Sequence, residues 1–382
     1  MESFVCGRFI DRYLIANRFK PLGLVISEEM FKQLVVLQDS QTPEWTIELL
    51  KKIGYTGPQP QRLGEIILVR DSMNELAFGK ASYEITEKCN YKCRHCFLGE
   101  ESDREIRELS LSDKKRILEI IKASGVFWLQ ITGGEPFVSR DFVDVYRFAY
   151  SLGLLIIIST NGSLLTRADI KNILSACPPY RIAISMYGAT AFSYESLTRM
   201  PGSFQDFCQG LEWLQKTGIR TRANIIITRY NREEMGAMKD WAERLKFEHH
   251  VFSTLSPTLK GNTYPLEIMG EFCGETKTDS EINGAEPSRN LKCMAGRTFF
   301  HVNSIGEASI CKGAREPAVN ILKEGIAKIQ KLSEIANRLL QLPVLCQSCE
   351  FQNSCSTCPP QLALYQKSDT IPLNVCKKLS KI

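Results

Sequence analysis

Three cysteines within eight residues, Cys89-x3-Cys93-x2-Cys96, carry the densest chemistry in this chain. They follow a strand-like run, Ser82-Tyr83-Glu84-Ile85-Thr86. The spacing puts three thiolates on one tight loop and leaves nothing nearby to act as a fourth ligand. A cubane iron–sulfur cluster held by three cysteines keeps one iron open, and an open iron can hold and cleave a small molecule. The competing reading is a zinc loop, although structural zinc sites close with four ligands, typically arranged in Cys-x2–4-Cys pairs.

A second group holds seven more of the fourteen cysteines: Cys293, Cys311, Cys346, Cys349, Cys355, Cys358 and Cys376. Seven thiols at such spacing signal metal binding, either iron–sulfur clusters or structural zinc. Cys6, Cys177 and Cys208 have no sequence partners, and Cys177 and Cys208, on helix ends or faces, read as small core residues.

Other polar residues cluster where strand-like runs end. Val126 to Ile131 leads into Thr132-Gly133-Gly134-Glu135-Pro136. Two glycines let backbone approach a ligand closely, and Pro136 holds Glu135 extended. Carbonyls exposed there can accept hydrogen bonds from an ammonium group; a plain strand-to-helix turn is the simpler alternative. Two further runs end in Ser159-Thr160-Asn161-Gly162 and Ser185-Met186-Tyr187-Gly188. Strand-end turn chemistry explains each of these equally well in isolation.

The elements that must position these residues can be read from apolar periodicity. Leu154 to Ser159, Arg181 to Ser185 and Ala223 to Thr228 add strands to the two already named. Between them lie helix-like stretches, Ser110 to Ser124, Phe142 to Leu152, Arg167 to Ala176, Phe204 to Thr217 and Arg232 to Leu245. Strands alternating with helices imply an α/β fold with a parallel sheet, open or curled into a barrel, and functional residues at the C-terminal strand ends. Residues 1–75 form a separate small α+β segment. It has a strand-like Phe9 to Ile15, a helix capped by Ser27, a second helix opening at Thr42-Pro43, and a Pro- and Gln-rich linker at 57–61. The barrel-like segment spans 76–256, and the cysteine-rich segment spans 257–382.

Composition limits the rest. Over 382 residues, 48 basic against 43 acidic side chains give +5, too weak and dispersed to argue for nucleic acid. No run of 18 or more apolar residues is present, and Met1-Glu2-Ser3-Phe4 does not open a signal peptide. Cysteines without a secretion signal point to a reducing, cytoplasmic setting and no membrane partner.

Taken together, the cluster loop and the GGEP turn resemble the radical S-adenosylmethionine (SAM) superfamily. The second cysteine group resembles the SPASM extension of its peptide maturases, with one departure, x2 rather than x3 between Cys355 and Cys358. The resemblance implies a partial (β/α)6 TIM-like barrel with a C-terminal SPASM domain. It implies a SAM-binding [4Fe-4S] cluster on Cys89, Cys93 and Cys96, and SAM contacts from Gly133, Gly134, Glu135, Asn161 and Ser185. Arg199 is a further candidate, for the SAM carboxylate, because a guanidinium binds carboxylate bidentately; a solvated arginine is the alternative. His95 would pack near adenine rather than bind metal.

Two auxiliary [4Fe-4S] clusters follow from the same likeness. One would be closed by Cys346, Cys349, Cys355 and Cys376. The other would be held by Cys293, Cys311 and Cys358, with Cys273 a candidate fourth ligand. The N-terminal segment resembles the winged-helix domains that take a leader peptide as an added strand; a structural extension of the barrel is the alternative. The implied activity is reductive SAM cleavage to a 5′-deoxyadenosyl radical, driven by a one-electron donor such as flavodoxin or ferredoxin. Hydrogen abstraction from a precursor peptide would then lead to an oxidative thioether, C–C or C–O crosslink. Sulfatase-maturase-like oxidation and non-enzymatic electron carriage are the alternatives.

Overall fold

The computed structural model describes residues 3–70, 78–100, 108–269, 293–341, 344–349 and 358–366. The N-terminal module is a four-stranded sheet in the order β3-β2-β1-β4, formed by β1 (Phe4–Phe9), β2 (Arg12–Asn17), β3 (Gly23–Ile26) and β4 (Ile67–Arg70). Helices α1 (Glu28–Val36) and α2 (Glu44–Lys52) pack on it. Ser27 caps α1 as its side chain foretells, its Oγ accepting from the Met30 N–H at 3.2 Å, with Glu28 and Glu29 favouring the first turn. The single strand expected over Phe9 to Ile15 is instead a hairpin. Ile10 takes a positive φ of 58° and turns the chain between β1 and β2.

The larger unit alternates strands and helices as the periodicity implies. Strands β5 (Lys80–Glu84), β6 (Trp128–Thr132), β7 (Leu155–Thr160), β8 (Arg181–Met186), β9 (Thr221–Ile226) and β10 (Glu248–Phe252) pair in parallel, each with the next. The intervening helices are α3 (Leu111–Ala123), α4 (Phe142–Ser151), α5 (Ala168–Ala176), α6 (Ala191–Thr198), α7 (Ser203–Thr217) and α8 (Met235–Arg244). Nearly unbroken apolar runs such as Leu155-Ile156-Ile157-Ile158 suit strands covered on both faces. α3 begins where Ser110 Oγ accepts from the Asp113 N–H, and it buries Ile117, Leu118, Ile120 and Ile121.

The sheet does not stop at β5. On that edge it continues through β11 (Phe299–Val302), parallel to β5, then antiparallel β12 (Glu307–Ser309) and β13 (Val319–Asn320). The expected parallel sheet is therefore a mixed one of nine strands, with β10 and β13 at its edges. The cysteine-rich segment contributes three of those strands, each too short to show a sequence period.

The N-terminal module docks at the opposite end of the strands from the cysteine loop. Val5 and Ala16 share a small core with Phe127 and Leu155, at the starts of β6 and β7. Phe9 stands edge-on to Trp128, with centroids 5.0 Å apart. Two buried arginines reinforce the joint: Arg18 lies over the Tyr150 ring, 4.3 Å from its centroid, and Arg70 Nη1 donates to the Val126 carbonyl at 2.7 Å.

Candidate active site

The loop after β5 is held by its neighbours rather than by its own secondary structure. The N–H groups of Lys92 and Arg94 donate to the carbonyls of Thr198 and Leu197 at the end of α6. Those of Cys96 and Gly99 donate to Cys93 and Cys96, giving two successive tight turns. Thr86 Oγ1 accepts from the Lys88 N–H at 3.1 Å. The result brings Cys89, Cys93 and Cys96 to the wall of one cavity of about 310 Å³ at the C-terminal strand ends.

The glycines of the turn after β6 close against this loop. The N–H groups of Gly134 and Glu135 donate to the Thr86 and Lys88 carbonyls, both at 2.9 Å. A Cβ on Gly133 would sit 2.2 Å from the Thr86 oxygen, and one on Gly134 would sit 2.3 Å from that of Lys88. Both glycines line the cavity, and close backbone approach explains why neither can carry a side chain. Gly134→Ala is expected to cost about 1–3 kcal/mol through forced displacement of the cysteine loop. Thermal unfolding of the variant checks this; an unchanged midpoint would contradict the contact.

Glu135 does not face the cavity. It is fully buried, accepting from Thr160 Oγ1 (2.8 Å), the Asn161 N–H (2.7 Å) and the Phe137 N–H (3.2 Å). Burial pushes its pKa up to about 7, against those three donors. Its work is to tie the GGEP turn to the end of β7. Asn161 lines the cavity and donates through Nδ2 to Asn90 Oδ1 on the cysteine loop at 2.9 Å. Ser185 also lines it, from the end of β8. Arg199 lies elsewhere: it ends α6 in a left-handed conformation and pairs with Glu100 at 2.7 Å, its side chain 42% exposed.

His95 lines the cavity with its ring 4.9 Å from that of Tyr187. Burial lowers its pKa to about 4, and its Nδ1 has no hydrogen-bond partner among the described residues. Gln130 and Ser159 face the same space and are bonded to each other at 2.6 Å. Ser159 opens the strand-end run named from the sequence, whereas Gln130 carries no motif; its only signal is a polar residue interrupting the apolar strand Trp-Leu-Gln-Ile-Thr.

The last wall comes from the C-terminal segment. Lys312 lines the cavity, and its Nζ lies 3.3 Å from Oε1 of Glu84 at the end of β5. Glu84 is fully buried. Arg315 Nη2 donates to both its oxygens, at 2.7 and 2.8 Å, while His301 Nε2 stands 3.7 Å away. Burial alone would raise the Glu84 pKa; Lys312, His301 and Arg315 reverse that and hold it well below the carboxylate range.

Cys311, next to Lys312, belongs to the second cysteine group. Burial raises its pKa, with a contribution from Cys293; Cys358 is raised likewise, with contributions from Cys311 and Cys293. Cys346 and Cys349 sit one turn apart, the Cys349 N–H reaching the Cys346 carbonyl at 3.4 Å. Cys355, Cys376 and Cys273 lie outside the described residues. Among the described residues no three His, Cys, Asp or Glu side chains are gathered to hold a single metal ion, and no helix is long and apolar enough to cross a membrane.

Three thiols around a cavity walled by neutral strand-end polar groups fit an iron–sulfur cluster with an exposed iron and a small ligand beside it. The comparisons with known proteins agree. The model of the Radical SAM superfamily matches residues 83–242. AdoMet-dependent heme synthase of Methanosarcina barkeri is 26% identical over 315 residues, covering 72% of this chain and 90% of that protein. PqqA peptide cyclase of Rhodopseudomonas palustris is 26% identical over 300 residues, covering 70% and 78%. Streptococcus suis SuiB bound to precursor peptide SuiA superimposes with a TM-score of 0.59 at 16% identity, over 93% of this chain and 94% of that one. Residues 83–242 thus carry a radical SAM domain, and the protein is an enzyme.

Proposed function

We propose that this enzyme matures a ribosomally made peptide, removing hydrogen from it and leaving an oxidative thioether, C–C or C–O crosslink. When bound, a cluster and SAM supply a 5′-deoxyadenosyl radical through one-electron reductive cleavage, with flavodoxin or ferredoxin as the class of donor. Cys89, Cys93 and Cys96 would hold that cluster. Gly133 and Gly134 would bring backbone up to SAM, beside Asn161 and Ser185, and the Tyr187–His95 pair would form an aromatic wall that keeps water out.

The observation that carries the peptide reading is the N-terminal module. Its outer strand β3 ends the four-stranded sheet, with Val25 59% exposed, so an extended peptide can pair along it. Two of the similar proteins lend support, the PqqA peptide cyclase and SuiB, which is bound to its precursor peptide SuiA. The second cysteine group supports the oxidative outcome. Cys293, Cys311 and Cys358 would hold one auxiliary cluster, Cys346, Cys349, Cys355 and Cys376 another, and either could accept the second electron as the new bond forms. A cytoplasmic, reducing setting suits this chemistry.

One observation favours a second reading. The AdoMet-dependent heme synthases match over 81–90% of their length, which makes a heme precursor the rival substrate. The test is anaerobic reconstitution with iron and sulfide, followed by SAM, dithionite and the short peptides encoded beside this gene. A peptide lighter by about 2 Da, the mass of two hydrogens, is the expected product. 5′-Deoxyadenosine with iron coproporphyrin consumed and every peptide untouched would favour the rival, and no 5′-deoxyadenosine at all would overturn both.

A further inference from the structure

We propose that Lys312 is the receptor for a carboxylate carried by the substrate, held ready by the buried Glu84–Arg315 pair. The inference rests on reading the cavity as the SAM-cleaving site, and it names what else that cavity binds. Lys312 is the one basic or acidic side chain among the described residues lining it; apart from the three cysteines and His95, the others are uncharged. It enters from the C-terminal segment, just after β12, and shares the lining with Gly133, Asn161 and Ser185.

Donor counting shows what it can do there. An ammonium has three N–H donors. Glu84 Oε1, 3.3 Å away, engages one, and Glu84 already receives Arg315 Nη2 on both oxygens. Arg315 is drawn from its other side by Glu87, 3.7 Å from Nη1. The anchoring carboxylate is therefore largely satisfied without Lys312, and two ammonium donors remain for the space on which this 38% exposed side chain borders. A flexible lysine usually loses rotamer entropy on binding; one pinned at its tip by a buried carboxylate has lost much of it on folding. Asn161 and Ser185, which line the same cavity, are the polar side chains that the resemblance already assigns to SAM. The chemistry left for Lys312 is a substrate carboxylate, from an acidic peptide residue or from a tetrapyrrole propionate.

The test measures binding to the reconstituted full chain with SAM present, by calorimetry under anaerobic conditions. Two probe pairs are used: acetyl-Gly-Glu-Gly-amide against its Gln twin, and iron coproporphyrin III against its tetramethyl ester. At least one acid should bind about tenfold or more tighter than its neutral twin, the effect of one charge-assisted hydrogen bond. Lys312→Gln should collapse that ratio to within about twofold, and Lys312→Arg should retain most of it. Preference for the peptide acid identifies a side-chain carboxylate as the source; preference for the porphyrin acid identifies a propionate. The proposal is overturned if neither acid outbinds its twin in the wild-type protein. It is equally overturned if the ratio survives Lys312→Gln, or if that variant weakens SAM binding alone. Formation of 5′-deoxyadenosine by the wild-type protein is scored separately, so the SAM reading and this one fail by different results.

Discussion

Cys93→Ala should reduce 5′-deoxyadenosine formation by more than about 100-fold while leaving the fold intact. Changing a residue that only supports a metal ligand already costs 10–100-fold, so losing the ligand should cost more. Cys93 is half-buried on a loop whose backbone is tied to α6 by the N–H groups of Lys92 and Arg94. Those backbone bonds are untouched by the substitution, so the loop should keep its course. Iron analysis of the reconstituted variant should show about four fewer irons per chain, and circular dichroism should be unchanged. Turnover at the wild-type rate would remove the three-cysteine assignment altogether.

Glu84→Gln should destabilise the protein by about 3–5 kcal/mol at neutral pH, because it leaves Arg315 and Lys312 facing a neutral group at a buried position. The sign of the pH dependence follows from the direction of the shift. The folded-state pKa of Glu84 is depressed, so its contribution is complete above the value of an unfolded glutamate, about 4.3, and is lost as pH falls below it. Denaturant unfolding should show a wide gap between wild type and variant at pH 7 and a narrowing one on acidification below about pH 4. A constant gap across that range would mean that Glu84 acts through packing and not through its charge.

Local signals made much of this molecule legible in its sequence. Ser110 and Ser124 bracket α3 at the expected positions, and Ser27 caps α1, because a cap is a contact between residues three apart. The cysteine loop and the GGEP turn were readable for a similar reason: their chemistry is concentrated in short stretches. The hairpin at Ile10 escaped because an apolar residue with positive φ gives no turn signal. The polar network at Glu84 escaped because its members are far apart. Arg315 follows Glu84 by 231 residues and His301 follows Ser82 by 219, so in sequence they read as ordinary surface charge and strand polarity. β11, which brings them together, is four residues long. Arg199 shows the opposite error, a suitable residue type whose position serves Glu100 instead.

The docking of the N-terminal module on Phe127 and Leu155 sets a ruler for substrate architecture. On the proposed peptide reading, a substrate paired along β3 would be gripped at one end of the strands, while the cysteine loop lies at the other. A six-residue strand such as β7 is about 20 Å long. At roughly 3.3 Å per extended residue, at least about six residues must separate the gripped segment from the residue to be modified. Substrates with shorter spacers would have to let go of the module before they could react, so spacer length alone should sort held substrates from released ones.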